Sequence, residues 1–193
     1  MEKPLELFHE WMQQAIDHEH ISEPTAMSLA TAASSGMPSC RIVLLKQYNE
    51  KGFVFYTNHE GRKSDEIKAN PQAALCFYWM PLDRQIRIEG HVEKVSDEEA
   101  DSYFAGRVRA SQIGAWASRQ SQPMEHEASL SDRIKAYEQQ FAGQTIPRPS
   151  HWSGWRIVPE RIEFWIQGDF RIHDRWEYTK DAAGNWLKTS LYP

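Results

Sequence analysis

From Thr25 to Asn58 the apolar residues fall into short β-branched and aromatic runs, and the runs are separated by turn-forming residues. TAMSLATAA (25–33) is followed by Ser34-Ser35-Gly36-Met37-Pro38, SCRIVLLKQY (39–48) by Asn49-Glu50-Lys51-Gly52, and FVFYTN (53–58) comes next. Runs this short, closed by Gly, Pro and Asn, predict an antiparallel three-strand meander. AALCFYWM (73–80) and RQIRIEGHVEKV (84–95) add two strands, and WRIVPERIEFWIQ (155–167), FRIHDRWEYTK (170–180) and NWLKTSL (185–191) form a last group.

Helical segments stand between these runs without the alternation of a βαβ repeat. Leu5, Phe8, Met12 and Ile16 recur at helical spacing, which predicts a short amphipathic helix over about 5–17. GRKSDEIKANP reads as a helix stopped before Pro71. Ser96 with Glu99 three residues on is a capping-box pattern, predicting a helix through about Phe104. SLSDRIKAYEQQFAG predicts another, with Ser131 as a cap and Gly143 as its end. The fold class that follows is α+β, mainly β: an antiparallel sheet closed into a split β-barrel that removes its edges, with flanking helices. At 193 residues the chain has the size of one domain, taken here as 1–193.

Composition narrows the function. The longest apolar runs, such as Ile42-Val43-Leu44-Leu45, are far below the roughly 20 residues that cross a bilayer, so no membrane partner is expected. The opening residues show no basic-then-apolar leader, and Cys40 and Cys76 form no CxxC pair, which points to a reducing cytoplasmic setting. A net charge of -5 argues against nucleic acid, yet cations cluster at Arg62-Lys63, Arg84-Arg87, Arg107-Arg109 and Arg171-Arg175. Such clusters in an acidic chain suit small anionic ligands. Neither GxGxxG nor GxxxxGK[ST] occurs, so side chains must hold any phosphate; HExxH and GxSxG are missing too, and the histidines lack ligand spacing, so no metal is expected. Arg62-Lys63 at a helix start opposes the helix polarity unless an anion sits between. Tyr103, Arg107 and Ser111 recur every four residues, but Gly106 argues against one unbroken helix. Arg171, His173 and Arg175 alternate, which would put them on one strand face. Trp79, Trp116, Trp152, Trp155, Trp176 and Trp186 read as core or interface residues.

RIVLLK (41–46), FYTN (55–58), RK (62–63), RQIRIEG (84–90), SQIGAWAS (111–118), QSQ (120–122) and RIHDR (171–175), in this order, make the chain closely resemble the pyridoxamine 5'-phosphate oxidase family from about Pro4 to Pro193. The resemblance implies a homodimeric split barrel with FMN held between the subunits. It implies FMN contacts at Arg41, Ile42, Val43, Leu44, Leu45, Lys46, Tyr56, Thr57, Arg62, Lys63, Gln85, Gln120, Ser121, Trp165 and Arg175. It places the substrate phosphate on Lys46, Tyr103, Arg107 and Ser111, and the pyridine ring against Arg171 and His173, the pair implied to be catalytic. The implied reaction is oxidation of pyridoxamine or pyridoxine 5'-phosphate by O2 to pyridoxal 5'-phosphate, with release of peroxide and, from the amine, ammonia. A non-catalytic carrier or sensor of flavin, haem or pyridoxal phosphate is the alternative; it would lack Arg171 and His173, which are present. Two departures stand out. The family commonly has a longer basic N-terminal arm, whereas this sequence starts almost directly at KPLELF, and Ile166 stands where the family usually has Gln directly after the Trp, with Gln167 one position later.

Overall fold

The computed structural model describes residues 3–124, 126 and 129–193, so Met1 and Glu2 of the sequence reading lie outside the described residues. Nine strands form one antiparallel sheet: β1 (Ala26–Ala32), β2 (Pro38–Leu44), β3 (Gln47–Asn49), β4 (Gly52–Asn58), β5 (Gln72–Trp79), β6 (Arg84–Lys94), β7 (Trp152–Ile166), β8 (Asp174–Lys180) and β9 (Trp186–Leu191). The path runs β2-β1-β5-β6-β7-β4-β3, with β8 joined to β7 and β9 to β8. Its two ends are successive pieces of one run. The Leu45 N–H donates to the Thr25 carbonyl beside β1, while the next N–H, that of Lys46, donates to Val54 on β4, both at 2.9 Å. The chain therefore changes partners between two residues, and this hand-over curls the sheet into a split barrel.

The expected three-strand meander is corrected by this topology. β1 does pair with β2, but β4 pairs with β3 and with distant β7. Local turn signals cannot reveal that exchange. β7 is the spine: β6 follows one edge along most of its length, and β4 and then β8 share the other. Its Pro159 lacks an N–H, and the ladder shifts register there, opposite Glu89 and Gly90. A Cβ at Gly90 would meet the Val158 carbonyl oxygen at 2.0 Å, so the close approach requires glycine.

Helix α1 (Pro4–Asp17) begins with Pro at its first turn and plugs the barrel. Phe8, fully buried, meets Phe53 edge-on at 4.9 Å and Phe77 at 5.4 Å, and Trp11 meets Phe164 at 5.1 Å. Burying such a ring contributes about 1.5–3 kcal/mol. The buried stripe is Pro4, Leu7, Phe8, Trp11, Met12 and Ala15; Ile16, expected on it, is exposed, because Trp11 and Ala15 turn the stripe away from it. The other helices are α2 (Arg62–Ala69), α3 (Asp97–Ala105), α4 (Arg109–Ala117) and α5 (Ser129–Gln140). Ser96 caps α3 by accepting from the Glu99 N–H at 3.1 Å. Ser131 is not a cap, since α5 is already helical at Ser129.

Candidate active site

The hand-over between β2 and β3 leaves a cavity of about 580 Å³, lined by residues from the end of β2, from β4, from the start of α2, from the break between α3 and α4, and from Gln120 and Ser121. Arg41, Ile42, Val43, Leu44, Lys46, Tyr56, Thr57, Arg62, Lys63, Tyr103, Arg107, Gln120 and Ser121, for which the resemblance implies ligand contacts, all border it. Leu45 does not; its side chain is buried in the core. Ser111 sits half-buried on α4, off the cavity wall, because the chain breaks at Gly106–Val108 and does not continue one helix from Tyr103. A slightly larger cavity, about 620 Å³, lies beside it over α5 and shares Gln120 and Ser121. The chemistry points to the smaller one, because it gathers Arg41, Lys46, Arg62, Lys63 and Arg107 around an aromatic wall.

Glu66 organises the cavity's floor. Its carboxylate accepts from Thr31 and Ser39, both at 2.5 Å, from Arg62 Nε at 2.8 Å and from Arg41 at 3.2 Å. Burial alone would push its pKa up; the bonds from Ser39, Thr31, Arg62 and Arg41 outweigh that and hold it at about 2. Arg41 is fixed further by Thr31 at 2.5 Å and by Ser39. These are settled groups, oriented before any ligand arrives.

Lys63 and Arg107 are of another kind. Lys63 is buried, yet among the described residues its Nζ donates only to neutral oxygens, Gln120 Oε1 at 2.8 Å and Thr57 Oγ1 at 3.2 Å. Its pKa is lowered, first by burial and then by Arg41. Arg107 lies over the Trp152 ring at 4.7 Å with its Nη1 buried and unpartnered, and burial lowers its pKa too, against the pull of Tyr103. A buried cation without a carboxylate is costly unless an anion joins it. Gly61, which precedes α2, supplies no side-chain cap, so the helix start at Arg62-Lys63 adds its own attraction for an anion. This donor set fits phosphate.

One wall is aromatic. Tyr56 and Tyr103 stack at 3.9 Å and 1°, and Tyr56 stacks on Trp152 at 5.3 Å and 8°. Burial, then Glu99 and Tyr103, push the Tyr56 phenol up to about 12, and burial raises Tyr103, so both remain hydrogen-bond donors. Trp152 was read from sequence only as core or interface. Its place as the first residue of β7, beside Thr57 and Asn58, is what carries it to the cavity.

The remaining predicted residues gather elsewhere. Gln85, Trp165 and Arg175 are neighbours across β6, β7 and β8. Arg175 is held by Glu163 through Nε at 2.9 Å and Nη2 at 2.8 Å, and Glu163 also accepts from Arg87 at 3.1 Å. The expectation that Arg171, His173 and Arg175 share a strand face is corrected: Arg171 ends a 3-10 turn (Asp169–Arg171), and β8 starts only at Asp174. His173 lies against Trp165 at 4.7 Å, and its Nδ1 accepts from the Gly168 N–H at 3.2 Å. Glu66, Glu163 and Gly168 were missed in the sequence; nothing local marks two acidic residues among many or a glycine after Gln167.

A curled antiparallel barrel with an aromatic-walled anion cavity defines the class: a split-barrel protein built for a phosphorylated, flat-ringed ligand. Residues 12–141 match the family model described as pyridoxamine 5'-phosphate oxidase, and residues 152–193 match the pyridoxine 5'-phosphate oxidase C-terminal dimerisation region. The chain belongs to the pyridoxamine 5'-phosphate oxidase family. It is 52% identical over 190 residues to the pyridoxine/pyridoxamine 5'-phosphate oxidase of Myxococcus xanthus strain DK1622, covering 98% of this chain and 91% of that one. The enzyme of the same name from Pelagibacter ubique is 47% identical over 191 residues, with the same coverage. Among solved structures, PhzG from Burkholderia lata 383 in complex with tetrahydrophenazine-1-carboxylic acid is similar with a TM-score of 0.92 at 30% identity, over 99% of this chain and 93% of that one.

Proposed function

We propose that the chain is an FMN-dependent oxidase that converts pyridoxamine or pyridoxine 5'-phosphate, with O2, to pyridoxal 5'-phosphate and hydrogen peroxide, releasing ammonia from the amine. The observation that carries this reading is a pair of cations in one aromatic-walled cavity, buried Lys63 and half-buried Arg107 with its Nη1 buried, neither with a carboxylate partner among the described residues. Two phosphates, one from the cofactor and one from the substrate, match two cationic positions.

Arg41, Arg62, Lys63, Thr57, Gln120 and Ser121 would hold the FMN phosphate. Lys46, Tyr103 and Arg107 would take the substrate's, and Ser111, on α4 and off the cavity wall, would join them only if that helix shifts. Gln85, Trp165 and Arg175 suit the flavin ring edge, and Arg171 and His173 face the pyridine. FMN held there would supply the acceptor for a hydride equivalent from the substrate's 4' carbon, with oxygen as the final oxidant, while the protein's residues supply alignment and charge.

Gln85, Trp165, Arg171, His173 and Arg175 do not line the cavity that the other predicted residues border. A second copy would bring its β8 side over this cavity, and the match of 152–193 to a dimerisation region supports that arrangement, because Trp165, Arg171, His173 and Arg175 all lie inside it. FMN would then lie between subunits. Among the described residues no helix is long and apolar enough to cross a membrane. The unpaired Cys40 and Cys76 support a cytoplasmic setting.

The test is the visible spectrum of the purified protein, kept anaerobic, before and after adding pyridoxine 5'-phosphate. Bleaching of the flavin band is expected. An unchanged band, or no flavin retained after adding FMN, sinks the reading.

A further inference from the structure

The turn that delivers Arg171 and His173 is held in a costly shape. Phe170 (φ 55°) and Arg171 (φ 66°) are successive non-glycine residues in the left-handed region. The Phe170 side chain is 94% exposed, so its packing does not offset that cost. Hydrogen bonds hold the turn: Ile172 N–H to the Asp169 carbonyl at 2.9 Å, Gln167 N–H to the Asp83 carbonyl at 2.9 Å, and Gly168 N–H to His173 Nδ1 at 3.2 Å. Gly168 also permits the closure sterically. A Cβ there would stand 1.8 Å from the Ile172 carbonyl oxygen and 3.4 Å from His173 Cα.

A backbone N–H only donates. His173 Nδ1 therefore presents its lone pair, and the neutral ring carries its proton on Nε2. We propose that Gly168 is a positioning residue: its N–H fixes His173 as the Nε2–H tautomer, so that His173 meets the substrate ring as a hydrogen-bond donor, and its missing side chain lets the turn close and hold Arg171 beside it. This rests on the reading of Arg171 and His173 as the substrate-facing pair, and adds which nitrogen carries the proton and which backbone group decides it. Trp165 fixes the plane of the same ring at 4.7 Å and 44°. The ring atom that His173 meets must then be an acceptor.

The experiment is long-range 1H–15N NMR on the full-length, FMN-loaded protein with labelled histidine, His173 being assigned by the signals lost in His173→Asn. A pyridine-type Nδ1 and a pyrrole-type Nε2 are expected. In Gly168→Ala the fixed pattern gives way to a tautomer mixture, and kcat/KM for pyridoxine 5'-phosphate falls at least about tenfold, while FMN affinity by fluorescence titration stays within about twofold because the cavity's phosphate-binding cations are untouched. A pyrrole-type Nδ1 in the unmodified protein, or unchanged kcat/KM in the variant, overturns the proposal. The tautomer spectrum needs no turnover, so a protein that oxidises no pyridoxine phosphate refutes the functional reading separately.

Discussion

The cations beneath the cavity and those on the β7–β8 side differ in how much is settled before a ligand arrives. Arg41 is held on Glu66, Arg62 reaches the same carboxylate from a largely exposed side chain, and Lys63 is buried between Thr57 and Gln120. Arg171 is exposed on a strained turn, with no hydrogen bond or ion pair among the described residues. The first group has lost its freedom during folding and pays little to bind an anion. On the proposed reading, the second would acquire its surroundings only with substrate and a partner subunit in place. Binding of the cofactor and its chemistry should therefore separate by mutation.

The largest effect expected is from Arg171→Leu. On the proposed reading, in which Arg171 faces the pyridine, removing its charge should lower kcat by about 10²–10³-fold, with FMN affinity held within about twofold. Steady-state kinetics beside a flavin fluorescence titration measure both. Loss of FMN in this variant would erase the contrast between the two regions, and unchanged turnover would remove Arg171 from the site.

A second test acts on the settled side. The Glu66 pKa of about 2 lies below the ordinary carboxylate value of 4.5. A group with a depressed folded pKa contributes stability that is complete above its unfolded value and lost as pH falls through the folded one. Urea melts of the FMN-free protein should therefore show this contribution intact above about pH 4.5 and gone near pH 2. Glu66→Gln should cost about 1–3 kcal/mol at neutral pH, since Arg41, Ser39 and Thr31 keep only a weaker acceptor, and should flatten that acid slope. A variant as stable as the parent would show that the floor of the cavity is not organised by Glu66.

What the sequence disclosed followed range of interaction. The Ser96 cap was legible because its whole mechanism lies within four residues, and the Arg62-Lys63 misfit because helix polarity is local. The partner exchange at Leu45-Lys46 was not, since it depends on β4 pairing with β7 about a hundred residues on. Glu66 read as an ordinary helical carboxylate within DEIK; only the fold stacks Thr31, Ser39 and Arg41 above it. The turn at Phe170 and Arg171 was read as strand, because neither residue favours a positive φ and nothing local announces one. Resemblance supplied the candidate site residues that local physics did not.

The smallest effect distinguishes a functional cation from a structural one. Replacing Lys63 by Met keeps an unbranched chain of similar length and removes a buried charge that has no carboxylate partner among the described residues. Thr57 and Gln120 lose little, because they already bond each other at 2.9 Å. The FMN-free variant should therefore gain about 1 kcal/mol, a rise of about 2–4 °C in Tm for a chain of this size. The same change deletes a charge-assisted bond to phosphate and should weaken FMN binding by about 10–100-fold. Calorimetry of the FMN-free form beside a titration with FMN reads both signs at once. A variant that loses stability and affinity together would make Lys63 a part of the core; a gain in one with a loss in the other makes it a residue whose burial serves the ligand.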